Sequence, residues 1–201
     1  MSRQYLQKLE FGNEAVLELA PGQGRVSADL LADLFAHVDA VEQSETMVAR
    51  AKAKMLARGT PYREITCQKL QDFIPGSSRY NVIYIQFVTQ FLNDTELIQL
   101  LKKLRHSLVE GGIIVIRENS APKTDYCEGY WGGMKEYSLA RSIFCFKQVS
   151  ALAGFSVVAG SEDLQTVRDE HCPVYCFAIR PADTTNPPVC DAKHRRCAGF
   201  S

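Results

Sequence analysis

Apolar and polar positions along the chain follow two alternating rhythms. Ala15, Val16, Leu17 and Leu19 make a short apolar run that predicts a buried strand, and Arg25–Phe35 follows at once with helical spacing. His37–Glu42 predicts a second strand, after which Ser44 is placed to cap a helix over Glu45–Arg58 that Gly59 stops. Arg63–Gln68 reads as a third strand. Asn81–Gln86 reads as a fourth, apolar on both faces as a central parallel strand covered by helices must be. Asp94 opens a helix to about Val109 whose apolar face carries Leu97, Ile98, Leu100, Leu101, Leu104 and Leu108. Glu110-Gly-Gly112 ends it, and Ile113–Glu118 is a fifth strand. Asn119–Glu136, rich in glycine and aromatics, has no clear period, and a loop of that length in a compact domain points to function or disorder. Tyr137–Ala153 is again helical up to Gly154. Phe155–Gly160 and Pro173–Arg180 are two further strands with no convincing helix between them, so they are expected to run antiparallel.

This order predicts an α/β fold: a Rossmann-like, seven-stranded, mostly parallel sheet with helices on both faces and an antiparallel C-terminal strand pair. A chain of 201 residues, 46% hydrophobic, supports one substantial core. Residues 1–13 are expected to be a short extension, 14–180 the domain, and 181–201 a polar, disordered tail with a basic Lys193–Arg196 cluster. Charge changes the picture only by exclusion. With 23 basic and 23 acidic residues there is no broad electrostatic reason to expect nucleic acid or a membrane surface as partner. No apolar run approaches the ~20 residues of a membrane span and the first residues lack a secretory core, so the expectation is a soluble, cytoplasmic protein, with the nucleus as the alternative. The seven cysteines lack paired CxxC spacing, which favours reduced thiols and no metal site. Oligomeric state is not legible.

The candidate chemistry lies where strands meet loops. Ala20-Pro-Gly22-Gln-Gly24 joins the first strand to its helix without a spacer, and two glycines there let main chain approach a bound molecule closely. In an open α/β sheet the ligand sits beyond the carboxyl ends of the strands. Glu42 ends the second strand 20 residues after Gly22, the offset at which an acid accepts hydrogen bonds from a ribose. An ordinary tight turn and a solvated strand end compete with these roles singly; together they favour a nucleoside cofactor. The turn lacks the full GxGxxG spacing that a pyrophosphate asks for, and the antiparallel closing pair suits a methyltransferase, which favours S-adenosylmethionine over a dinucleotide.

LELAPGQGRVSADLL, VDAVEQSETMVARAK, LQDFIP, YNVIYIQFVTQFLND and LVEGGIIVIRENSAP resemble, in order and spacing, the α-N-terminal protein methyltransferases, a branch of the class I adenosylmethionine-dependent fold. The likeness covers about Ala15 to Arg180. It implies methylation of the free α-amine of proteins beginning X-Pro-Lys, with a protein N-terminal peptide as partner and S-adenosyl-L-methionine as cofactor. It further implies that Ala20, Gly22, Gly24 and Arg25 hold the methionine end, Glu42 and Gln43 the ribose, Leu70 and Gln71 the adenine, that Gln86 closes the cofactor site, and that Asn119 holds the substrate's terminal residue.

The chain also departs from that pattern. Ala20 stands where the family usually has glycine. Phe87 and Phe91 stand where it has a tryptophan and a histidine, keeping an aromatic wall for a proline ring but losing a polar group; core packing competes for both and is the favoured role for Phe91. In the loop after Asn119, Glu128 matches the first of the family's acids, while the second falls near Trp131 or Gly132. Glu128 is the first candidate to take the amine's proton and Asp125 the second, both against a solvated loop carboxylate. Trp131 either anchors its loop or lines the acceptor pocket. Ahead of the first strand only Met1–Glu14 stands in place of the family's helical lid, so the chain is either a shortened form or has a more open site. Two alternatives stay open: a methyltransferase acting on a small molecule, and a cofactor-binding, catalytically weak regulatory protein.

Overall fold

The computed structural model describes residues 2–120, 138–158, 166–167 and 173–183. The chain forms two compact units. The first is built from the described residues up to Gln86 with Lys103–Val115, the second from Phe87–Lys102 and the described residues from Ile116 onward.

In the first unit a short helix α1 (Ser2–Leu6) precedes β1 (Ala15–Leu19), a π-helical segment (Ser27–Leu31) that continues into α2 (Ala32–Leu34), β2 (His37–Glu42), α3 (Glu45–Ala57), β3 (Glu64–Cys67) and β4 (Tyr80–Gln86). The helix α4 (Asp94–Arg105) and the strand β5 (Leu108–Asn119) contribute to both units. Strand order in the first unit is β3-β2-β1-β4-β5. β1 lies parallel to β2 and β4, with Leu17 opposite Asp39 and Ile83, and β2 lies parallel to β3. Strands buried on both faces need apolar side chains on both, and Val82, Ile83, Tyr84 and Ile85 of β4 are all fully buried. Each such aliphatic side chain contributes about 1.5–3 kcal/mol.

β2 carries a carboxylate into this core at its centre. The Asp39 carboxylate takes a two-pronged contact from Arg63 at 3.0 and 2.6 Å, an ion pair from Arg79 at 3.0 Å and the Tyr80 hydroxyl at 3.1 Å, so its burial is fully compensated. The N-terminal segment is docked as well: Tyr5 and Leu6 are buried, and the Phe11 ring stacks on Phe35 at 5.5 Å.

The second unit contains α5 (Ile143–Leu152), β6 (Phe155–Val157), β7 (Thr166–Val167) and β8 (Pro173–Pro181), with strand order β5-β8-β6 and β7 on β8. β6 and β7 both run antiparallel to β8. The expected α/β class, the mostly parallel sheet and the antiparallel closing strands are therefore present, with β7 as an unexpected addition. Among the described residues no helix is long and apolar enough to cross a membrane.

Two helix boundaries differ from expectation. The fourth helix stops at Arg105, not near Val109, because the Ser107 hydroxyl donates to the Leu104 carbonyl at 2.7 Å and the Ser107 carbonyl accepts from Arg79 and Tyr80. Leu108 keeps helical spacing with Leu104 but is buried on a strand, a case that periodicity does not resolve. The last helix begins at Ile143 after the N-cap Ser142, whose hydroxyl accepts from Cys145 N at 3.3 Å. Ahead of it Arg141 bridges to Ser120 as extended chain. Cys67 and Cys176 are free thiols, and burial pushes Cys176 up to about 12. Cys145 is disulfide-bonded, against the expectation of reduced thiols.

Arg141 organises the second unit. Its side chain is 0% exposed, and its guanidinium donates to Asp94 at 2.7 Å, the Thr89 carbonyl at 2.8 Å and the Leu92 carbonyl at 2.5 Å. Replacing it by Leu leaves a carboxylate and two carbonyls without their donor, and the expected loss is about 3–5 kcal/mol. Urea unfolding of Arg141→Leu should show a lowered midpoint; an unchanged midpoint contradicts the role given to these three bonds.

Candidate functional site

In the first unit the chain turns three times through the left-handed region at the end of β1, with φ of 53° at Ala20, 56° at Gly22 and 76° at Gly24. Ala20 donates its N–H to the Val41 carbonyl at 2.8 Å, and the strain of a side chain at that angle, roughly 1–2 kcal/mol, explains why glycine suits the position. The two glycines differ in purpose. A Cβ on Gly22 meets nothing within 4 Å, so this part of the turn faces open space. A Cβ on Gly24 meets the Ala51 Cα at 3.0 Å and the Tyr62 hydroxyl at 3.1 Å, so Gly24 clears room for α3 and Tyr62.

Glu42 closes the turn from β2. Its Oε2 accepts from Gly22 N at 3.1 Å and its Oε1 from Ser44 N at 3.0 Å, and each oxygen keeps a second lone pair. The serine that feeds this carboxylate is also the N-cap of α3, its hydroxyl accepting from Met47 N at 3.4 Å. Gln43 is exposed beside it, Arg25 is exposed at the start of the helix, Leu70 is buried and Gln71 is exposed. At the end of β4 the half-buried Gln86 accepts the Tyr84 hydroxyl at 2.9 Å. An open glycine turn beside a carboxylate with spare acceptor capacity fits the ribose and amino-acid tail of S-adenosylmethionine.

Beneath the turn lies a chain of three side chains that strand and helix spacing does not reveal. The Tyr62 hydroxyl donates to Ser27 Oγ at 2.5 Å, and Ser27 Oγ donates in turn to Glu18. Burial pushes the Glu18 carboxyl up to about 7, opposed by the Ser27 hydrogen bonds and the Arg25 charge. Ser27 opens the π-helical segment, an irregularity often found at functional sites. The signal available in the sequence was a lone acid inside the apolar run Ala15–Leu19.

The second unit holds the residues assigned to the acceptor. Phe87 adopts φ of 55°, a strained conformation for a bulky side chain, held by its N–H to the Arg117 carbonyl at 3.0 Å and by the Arg117 guanidinium 5.5 Å above its ring. Glu118 is buried, and its carboxylate accepts from Thr89 N and Oγ1 at 2.9 and 2.8 Å and from Asn119 N at 3.0 Å. Burial raises this carboxyl, with donors from Thr89, Asn119 and Gln90 opposing. Asn119 donates its Nδ2 to Gln90 Oε1 at 3.4 Å. Gln90 and Phe91 line a cavity of about 300 Å³ with Leu92, Asn93, Glu96, Ser138 and Leu139. Phe91 is 48% exposed, so core packing, the favoured role for it from sequence, is wrong: the ring belongs to a surface cavity. Asp125, Glu128 and Trp131 lie outside the described residues.

Residues 1–180 match the family of AdoMet-dependent proline dimethyltransferases. The chain belongs to this family. It is 35% identical over 185 residues to N-terminal Xaa-Pro-Lys N-methyltransferase 1 of Rattus norvegicus, covering 89% of this chain and 80% of that one, and 34% identical over the same span to the Homo sapiens protein of that name. A SAM-dependent methyltransferase from Leishmania major has the same fold, with a TM-score of 0.77 at 23% identity over 89% of this chain and 70% of its own. The DhpI–SAH complex follows at a TM-score of 0.64 and 20% identity, covering 85% of this chain and 78% of that one. The protein is thus an S-adenosylmethionine-dependent methyltransferase, as its sequence motifs imply.

Within this proline dimethyltransferase fold, Glu18 couples the glycine turn to pH. The folded state holds the Glu18 proton up to about 7, while the unfolded chain releases it near 4.5. Stability from this group is therefore full below the lower value and falls as pH rises toward the higher one, by about 3 kcal/mol in total. Glu18→Gln should flatten the stability profile between about pH 5 and 7 in urea titrations. A variant whose slope matches the wild type excludes Glu18 as its source.

Proposed function

We propose that this protein methylates the free α-amine of protein N-termini of the X-Pro-Lys type. The observation that carries the reading is the 35% identity along 89% of the chain to a methyltransferase named for that substrate. S-adenosylmethionine, when bound, supplies a methyl group activated by its sulfonium.

The residues proposed to hold the cofactor are Ala20, Gly22, Gly24 and Arg25 at its amino-acid tail, Glu42 and Gln43 at its ribose, Leu70 and Gln71 at its adenine, and Gln86. Gly24 acts there through the shape of the turn, given what its Cβ position meets. Glu42 is the strongest of these assignments, since its carboxylate is already oriented by two backbone donors and retains lone pairs toward the open turn.

For the acceptor, Asn119 orients the amine and Phe87 packs against the proline ring, its strained backbone presenting the side chain at one fixed angle. Phe91 supplies a second aromatic surface. An α-amine has a reference pKa of ~7.7–8.0, so only modest assistance is needed to generate the neutral nucleophile near neutral pH. Glu128, then Asp125, is proposed to receive that proton, and Trp131 to line the acceptor pocket. Alignment supplies the greater part of the rate. The cytoplasm, with the nucleus as the alternative, is the proposed location.

The test is the full-length protein with labelled S-adenosylmethionine and a peptide beginning X-Pro-Lys, beside its N-acetylated form. Label should enter the free peptide and not the blocked one. Label entering a small amine but no peptide sinks the peptide reading, and saturable cofactor uptake without turnover supports a regulatory protein instead. Calorimetry with S-adenosylhomocysteine should find Glu42→Ala weakened by about 1.5–3 kcal/mol, roughly 10- to 100-fold in Kd. Unchanged affinity removes Glu42 from the site.

A further inference from the structure

We propose that Gln90 positions the acceptor: its side-chain oxygen accepts from the amide nitrogen of Asn119 and so leaves the Asn119 oxygen to the substrate's amine. The inference rests on the proposed role of Asn119 and extends it to a residue that no motif singled out.

Two backbone contacts hold Gln90 itself. Its backbone N–H is directed to the buried Glu118 carboxylate, and its carbonyl accepts from Leu139 N at 2.8 Å. Its side-chain Oε1 accepts from Asn119 Nδ2 at 3.4 Å. The backbone on either side is equally restrained. Thr89 is tied to Glu118 through both N–H and hydroxyl, its carbonyl accepts from the fully buried Arg141, and so does the carbonyl of Leu92. Asn119 is fixed from its own side, because its N–H donates to Glu118 at 3.0 Å. One carboxylate thus sets the backbone of both partners, and the Gln90–Asn119 contact then sets a side chain.

An asparagine amide is nearly symmetric in shape but opposite in polarity at its two ends. Turned one way it offers an oxygen that accepts from an amine N–H; turned the other way it offers N–H groups that repel an ammonium and leave an amine without an acceptor. With the Gln90 Oε1 accepting from Nδ2, the nitrogen end is committed and Oδ1 is the end left for substrate. Gln90 also lines the cavity of about 300 Å³ beside Phe91 and Leu139, so its carboxamide forms part of the wall a peptide would meet. A side chain without an acceptor at this position leaves the Asn119 amide able to rotate, at a cost to binding of the amine end of the peptide and none to binding of the cofactor.

The experiment compares wild type, Gln90→Met, Gln90→Glu, Asn119→Ala and the double variant Gln90→Met/Asn119→Ala as full-length enzymes, using an X-Pro-Lys peptide at saturating S-adenosylmethionine. Gln90→Met should raise the peptide KM by about tenfold, in the range of a single hydrogen bond involving a charged group. S-adenosylhomocysteine affinity, read by calorimetry, should stay at the wild-type value and also certify that each variant is folded. Gln90→Glu, which keeps an acceptor oxygen at the same place, should restore KM to near wild type. On the Asn119→Ala background Gln90→Met should add nothing, since the group it orients is gone. A Gln90→Met enzyme with wild-type KM beside an impaired Asn119→Ala enzyme overturns this inference alone, as do strictly additive defects in the double variant. An Asn119→Ala enzyme with unchanged peptide KM overturns the Asn119 reading itself and the inference with it.

Discussion

A buried glutamate carboxylate that accepts backbone N–H groups from the loop beside it is the interaction on which both candidate sites depend. Loops at strand ends leave main-chain donors that the sheet does not use, and burial makes each unpaired donor costly. Glu42 meets this need for the glycine turn through Gly22 and Ser44. Glu118 meets it for the segment after β4 through Thr89 and Gln90. A carboxylate acceptor strengthens these bonds, and it fixes loop geometry without filling the space that a ligand requires.

The consequence for function is preorganisation. Phe87 sits in a backbone conformation that a free chain rarely visits, and it persists because Arg117 holds both its N–H and its ring and the Glu118 and Arg141 networks hold the residues that follow. Methyl transfer asks mainly for alignment of donor and acceptor, so rigid turns serve the chemistry better than additional reactive groups would. Glu18 has a different character. It lies beneath the turn with Ser27 and Tyr62, and its raised pKa makes the support of that turn sensitive to proton activity near neutrality.

Phe87 and Phe91 keep aromatic side chains at the two positions where the resemblance has a tryptophan and a histidine. Phe91, exposed beside a cavity, shows that an aromatic residue within an apolar stretch need not be core. Gln90 beside it accepts from the Asn119 amide at 3.4 Å and lines the same cavity, so a polar group stands next to Phe91. Comparison of motifs alone would not record this contact.

Sequence by itself determined the alternation of strands and helices, the antiparallel close, the Ser44 cap, and the coincidence of the glycine turn with Glu42, because each of these is written in local periodicity and fixed spacing. It also carried the family resemblance, which the match over residues 1–180 supports. Tertiary structure alone decided why the two glycines are there, since only neighbours distant in sequence, Ala51 and Tyr62, distinguish Gly24 from Gly22. It decided likewise that Leu108 belongs to a strand and that, for one loop, Arg141 is a structural donor and Glu118 a structural acceptor. Those outcomes rest on contacts between residues 27 to 52 positions apart, such as Gly24 with Ala51 and Arg141 with Thr89, and no local pattern encodes such a meeting.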